Sequence, residues 1–319
     1  MAFFWLVVGF VLLVGGGESL VRGATGLARK LSIPPLIVGM TVVAFGTSAP
    51  EMVVSILAGL QGNDDLAVAN VVGSNIFNTL MALGIPAIVA PIKIAASVIA
   101  RELPILVGLS LAVFGMAATG MQIGRLEAGV LFVSLLIFIT YNALSSRDES
   151  EEVQLEFEHV GDEETVWLLP FLLLVGGGAL AVGARLVVHG AVAIANSFSI
   201  SPVIIGLTIV AIGTSLPELM TSVVAAYKGE GDIATGNALG SCVFNLLGVL
   251  GVAGLIKPLQ VSSEMLRCDL PWMVLTVLLI FPLVFSQRKI TRLEGILMVG
   301  LYVLYMAWLV MRAKMLLHG

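Results

Sequence analysis

Two glutamates stand in the middle of apolar stretches, and their surroundings repeat. VGMTVVAFGTSAPEMVVSILAG begins at Val38 and carries Glu51; IGLTIVAIGTSLPELMTSVVAA begins at Ile205 and carries Glu218. A carboxylate near the middle of a membrane helix costs about 2.5–3.5 kcal/mol even on a lenient insertion scale, so two at equivalent places call for a compensating cation. At helical spacing Ala44, Thr47, Ser48, Glu51 and Ser55 share one face, and Ala211, Thr214, Ser215, Glu218 and Ser222 share its twin. Pro50 and Pro217 have no N–H to give, so each should free a carbonyl about one turn back, near Gly46 and Gly213. Farther on, Ser74 and Asn78, and again Ser241 and Asn245, are spaced i, i+4 and so lie on one face of the following helix. Carboxylate, hydroxyl, amide and free carbonyl are all oxygen donors, the set preferred by hard cations such as calcium and sodium. Four helices would then surround one polar centre.

The elements that must hold this centre are written in the composition. Of 319 residues, 58% are hydrophobic and only 12% charged, with a mean hydropathy of +1.06. A water-facing domain carries about 25% charged residues, so this chain lacks the polar surface for solution and reads as an all-α membrane protein in a lipid bilayer. Apolar runs long enough to cross about 30 Å of hydrocarbon recur at 2–29, 34–60, 66–90, 97–119, 126–144, 166–195, 201–227, 233–256, 266–285 and 293–315. They lack the alternation of a barrel strand, which predicts ten transmembrane helices. The first run has no basic n-region and continues to Arg29 and Lys30, so it reads as a retained helix and not a signal peptide.

The halves match at a constant offset of 167, far beyond the two glutamates. Gly39 meets Gly206, Asn70 meets Asn237, Gly73-Ser74 meets Gly240-Ser241, Phe77-Asn78 meets Phe244-Asn245, and Arg125-Leu126-Glu127 meets Arg292-Leu293-Glu294. The expected domains are a first five-helix repeat at 1–144, an acidic cytoplasmic linker at 145–165, and a second repeat at 166–319. Because five is odd, the second repeat enters the membrane from the opposite side, giving inverted-topology repeats with a substrate site at the midplane between them. Lys and Arg gather in the loops holding Arg29, Lys30, Lys93, Arg101, Arg147, Lys228, Arg288, Lys289 and Arg292. Fewer lie on the other side, at Arg125, Lys257, Arg267, Arg312 and Lys314. That asymmetry puts both termini outside and the linker inside, and the expected location is a prokaryotic cell membrane.

Other features take plainer readings. The linker holds nine of the chain's 21 acidic residues but lacks the spacing of a calcium loop, so it reads as a solvated connector. Glu18 reads as a local partner of Arg22 at i+4 or as a snorkelling side chain. Asp64, Asp65, Glu230 and Asp232 read as carboxylates at helix N-termini. Cys242 and Cys268 have no metal or disulfide spacing. No H-E-x-x-H or G-x-S-x-G is present, so an enzyme is not expected, and nothing points to a cofactor, nucleic acid or obligate protein partner.

At GTSAPE…GSNIFN and GTSLPE…GSCVFN the chain resembles the sodium/calcium exchangers of the cation/calcium antiporter superfamily. The resemblance implies a secondary antiporter that moves calcium outward on sodium entry by alternating access. By motif, Glu51 and Glu218 would bind both ions, with Thr47, Ser48, Thr214, Ser215, Ser74 and Ser241 as further ligands. Ala44 and Ala211 would offer backbone carbonyls, and Asn78 would sit at the centre. Asn245 stands where such exchangers often have Asp, and Cys242 stands where the first repeat has Asn75. The formal charge of the site is then −2, which one calcium or two sodium ions would balance. A proton/calcium antiporter is the nearest alternative, and a passive cation channel a more distant one.

Overall fold

A computed structural model of the protein describes residues 2–148, 168–198, 208–209, 211–285 and 288–318. Most of the acidic linker, 149–167, lies outside these residues, as does much of the stretch before Ala211. The helices are α1 Ala2–Leu31, α2 Pro35–Thr47, α3 Ala49–Leu60, α4 Asp64–Val89, α5 Val98–Gly120, α6 Arg125–Asp148, α7 Leu168–Ser197, α8 Ala211–Thr214, α9 Leu216–Tyr227, α10 Gly231–Ile256, α11 Met265–Val284 and α12 Arg292–His318. Among the described residues eight are long and apolar enough to cross a membrane, and α2 with α3 makes a ninth span bent by 45°. The run expected at 201–227 is described only from 208, so its completeness as a tenth span is outside what is described.

The apolar sequence sorts itself by burial. α4 and α10 are the interior pair, with 78% and 83% of their apolar windows buried, against 39% or less for the other long helices. Large apolar side chains such as Phe3, Phe10, Leu126, Leu174 and Leu304 instead face outward, which suits a lipid-facing surface.

α1 and α7 pack against each other through glycines. A Cβ added at Gly9 would lie 2.8 Å from the Gly183 carbonyl oxygen, and one at Gly176 would lie 2.6 Å from the Leu20 nitrogen and 2.8 Å from the Gly16 oxygen. Gly9 faces Gly183 while Gly16 faces Gly176, so the helices run antiparallel, and only side-chain-free positions allow backbones this close. The turn glycines Gly62 and Gly229 both take left-handed φ, 82° and 83°, closing the tight turns that follow α3 and α9.

Among the described residues four two-residue strands qualify the all-α expectation: β1 Ile92–Lys93, β2 Gln122–Ile123, β3 Leu259–Gln260 and β4 Lys289–Ile290. β1 pairs antiparallel with β4 and β2 with β3, so each ribbon takes one strand from either side of the linker.

Three local expectations change. The face argument for Ala44 to Ser55 assumed one continuous helix, but Ser48 takes φ −81° and ψ 2° and separates α2 from α3. Pro50 then falls in the first turn of α3, where its missing N–H leaves no helical bond unmade. The ion pair seen for Glu18 is with Lys228 after α9, across the fold and not along α1. The carboxylates expected at helix starts are there, with Asp64 and Asp65 in the first turn of α4, Glu230 at the N-cap of α10 and Asp232 in its first turn; Asp64 also pairs with Lys257 at 2.9 Å, and Asp65 accepts from the Ser262 backbone N–H at 3.0 Å. Half-buried Glu230 is raised above the usual carboxylate range by loss of solvent, with Arg29 and Thr25 pulling it back.

Candidate ion-binding site

Glu51 lies in the first turn of α3 and Glu218 in the first turn of α9; both are fully buried. The break at Ser48 brings them together, because it turns the start of α3 toward the other half instead of continuing α2. Ser215 Oγ donates to Glu51 Oε1 at 2.9 Å, and Ser48 Oγ donates to Glu218 Oε1 at 3.1 Å. Each carboxylate is thus held by the serine that precedes the other. The second oxygen of each, Oε2, is buried without a hydrogen-bond partner. Among the described residues neither carboxylate forms an ion pair with a basic side chain, although a buried unpaired charge is costly.

The remaining residues close in around the two acids. Ser74 Oγ lies 3.5 Å from Glu51 Oε1 and 3.0 Å from Ser215 Oγ. Thr47 Oγ1 donates to Asn237 Oδ1 at 3.0 Å and lies 3.3 Å from Ser241 Oγ. Thr214 Oγ1 reaches Asn70 Oδ1 at 3.4 Å. The Ala44 carbonyl accepts from the Ser48 N–H at 3.0 Å and lies 3.3 Å from Thr47 Oγ1. Ala211 opens α8, the counterpart of the end of α2. Asn78 is buried with neither amide atom partnered, and Asn245 keeps its Oδ1 unpartnered. Hydrogen-bond contacts thus link Ala44, Thr47, Ser48, Ser74, Thr214, Ser215 and Ser241 with the two glutamates, while Asn78 and Asn245 lie one turn beyond Ser74 and Ser241 on α4 and α10.

Two further residues belong to this region and were overlooked as site residues. Asn70 Nδ2 donates to the Glu51 carbonyl at 3.2 Å and to Ser55 Oγ at 3.0 Å, and Asn237 Nδ2 donates to the Glu218 carbonyl and to Ser222 Oγ, both at 2.9 Å. Ser55 and Ser222 in turn donate to the Ala67 and Ala234 carbonyls, each at 3.2 Å. The signal was present: Asn70, Ser74 and Asn78, like Asn237, Ser241 and Asn245, form an i, i+4, i+8 stripe. These amides brace the glutamate backbones and, through Thr47 and Thr214, tie each half to the other.

The serine crossover makes a separable expectation. Ser48→Ala or Ser215→Ala removes one hydrogen bond to a charged oxygen, worth about 1.5–3 kcal/mol. Cation affinity, measured by calorimetry on the purified protein, should weaken by about tenfold or more for each. Equal binding by both variants and the parent would show the crossover to be irrelevant to the site.

Bent, apolar helices closing on two buried carboxylates, with no basic partner among the described residues, fit a multi-pass membrane protein that handles cations. The chain belongs to the sodium/calcium exchanger protein family, whose model matches residues 1–144 and 168–311. It is 39% identical over 311 residues to inner membrane protein YrbG of Escherichia coli, with 95% of each chain covered. It is 32% identical over 342 residues to sodium/calcium exchanger MaX1 of Methanosarcina acetivorans, covering 95% of this chain and 97% of that one. Its fold is similar to the solved sodium-calcium exchanger NCX_Mj soaked with zero Na+ and Ca2+, at a TM-score of 0.82 and 28% identity over 97% of this chain and 98% of that chain. The resemblance read from the two motifs is borne out, and the family is one of transporters.

Proposed function

We propose that the protein exchanges sodium for calcium by alternating access, with both ions competing for one site between Glu51 and Glu218. The observation that carries this reading is the pair of buried carboxylates, each with one oxygen held by a serine of the other half and one left without a partner. Thr47, Ser48, Ser74, Thr214, Ser215, Ser241, Asn78, Asn245 and the carbonyls of Ala44 and Ala211 complete the oxygen set. Competition for the same two charges couples the opposite ion movements. The empty dianion resists crossing because burying it uncompensated is unfavourable, so a cation must ride in each direction.

Two inverted five-helix repeats, 1–144 and 166–319, joined by the linker at 145–165, are the architecture we favour. The antiparallel packing of α1 on α7 supports it, since those helices are counterparts at the 167 offset. Both β-ribbons also join loops that a ten-helix count places on the same membrane side. The basic loops then orient both termini outward in a prokaryotic cell membrane.

Reconstituted vesicles test the coupling. Calcium uptake should follow an imposed sodium gradient and stop when sodium is replaced by an inert cation. Uptake driven by a pH gradient without sodium would instead make this a proton/calcium antiporter, and calcium flux needing no counter-ion would make it a channel.

A further inference from the structure

The two central amides, Asn78 and Asn245, are counterparts in sequence but not in surroundings. Asn75, on α4 and 1% exposed, donates through Nδ2 to the Cys242 backbone carbonyl at 3.4 Å, with Met273 Sδ at 3.8 Å. A backbone carbonyl can only accept, which fixes the Asn75 amide: its nitrogen faces Cys242 and its oxygen faces away. That oxygen accepts from Asn245 Nδ2 at 3.2 Å. The polarity therefore passes from backbone to Asn75 to Asn245, and the Asn245 oxygen is turned from Asn75 and left buried with no partner. A flipped Asn245 would set two acceptor oxygens against each other and aim an NH2 group where its oxygen now lies.

The other half lacks this device. At the 167 offset the residue matching Asn75 is Cys242, whose thiol is a weak donor and acceptor; its Sγ lies 3.8 Å from the Asn75 carbonyl and 3.8 Å from Thr79 Oγ1. Asn78 accordingly has neither amide atom engaged. The backbone differs too, since α10 widens into a π-helical stretch from Phe244 to Val249 that begins beside Asn245, while Asn78 sits within a regular helix.

We propose that Asn75 is a positioning residue that locks the Asn245 amide with its oxygen presented to the transported cation, making residue 245 a fixed oxygen donor and leaving Asn78 the adaptable one. The inference rests on the cation site proposed above. It is a lever on selectivity: a neutral, fixed oxygen adds a ligand without adding charge.

The test is a double-mutant cycle on the full-length purified chain, with calcium affinity read by calorimetry and folding by thermal unfolding without calcium. Asn75→Leu, which keeps the branching and heavy-atom count with somewhat greater bulk and removes polarity, should weaken calcium binding about tenfold when Asn245 is present. In an Asn245→Ala background the same change should shift affinity less than twofold, because the residue it orients is gone. Asn75→Ala serves as a second variant should Leu fail to pack, with the same expectation. A merely structural Asn75 would lower the unfolding temperature and either spare affinity or weaken it equally in both backgrounds, and either result overturns the proposal. If Asn245→Ala alone binds calcium as the parent does, residue 245 is no donor and the inference falls. Glu218→Gln in the same assay reports separately on the site itself: parental binding by that variant would overturn the Glu51/Glu218 reading as well.

Discussion

Glu51→Gln is expected to abolish sodium-driven calcium uptake while leaving a folded and slightly more stable protein. The two effects have one origin. Among the described residues Glu51 is a fully buried carboxylate whose Oε2 has no hydrogen-bond partner and which pairs with no basic side chain, so whenever no cation is bound a neutral isostere relieves the protein of an uncompensated charge. Gln retains an oxygen for Ser215 and Ser74 to donate to, so the packing survives. For the bound cation the same change deletes half of the formal charge that balances it. Losing a buried charge partner costs about 3–5 kcal/mol, which is more than a hundredfold in affinity. Vesicle uptake and calcium-dependent thermal shifts measure the two sides: transport and the calcium-induced shift should vanish while the calcium-free unfolding temperature holds or rises. Uptake undiminished in the variant would remove Glu51 from the mechanism.

Gly176→Ala should destabilise the protein by about 1–3 kcal/mol, a large effect for one methyl group. The sequence offers three consecutive glycines, Gly176, Gly177 and Gly178, and only the first is at the crossing with α1. A Cβ there meets backbone atoms at 2.6 and 2.8 Å, and backbone cannot rotate away as a side chain could. Gly177 and Gly178 have nothing within 4 Å of the same atom. Alanine at either should be neutral or stabilising by up to about 1 kcal/mol, because a helical glycine is replaced by a better helix former. Thermal unfolding of the three alanine variants side by side decides it. Three equal unfolding temperatures would mean that α1 and α7 are not held by backbone contact.

Much of this architecture was legible before any coordinates. Nine of the ten long apolar runs located a helix or bent helix pair to within a few residues, since length and hydropathy are local properties; the start of the run at 201–227 lies outside the described residues. Glu51 and Glu218 announced themselves because a carboxylate in a greasy run is costly wherever it points, and the 167-residue echo marked Thr47, Ser74 and Asn78 with their twins. What local periodicity could not reveal was who holds whom. Ser48 was placed on the face of Glu51, yet its hydroxyl goes to Glu218, because the chain bends at Ser48 and the bend depends on a partner half that the helical wheel does not contain. Asn70 and Asn237 were noticed as matching pairs but not as braces, since their importance lies in the glutamate carbonyls they bond. Glu18 was read as a partner of Arg22 along its own helix or as a snorkelling side chain, and the fold supplied Lys228 from far away in sequence.

The paired β-ribbons have a consequence for how the molecule is made. Each has one edge contributed before Asp148 and one after Leu168, as do the glycine crossing and the serine exchange at the acids. Neither stretch can complete a single one of these joints alone, so each closes only when both stretches are in place. The fit is cut into the two pieces themselves.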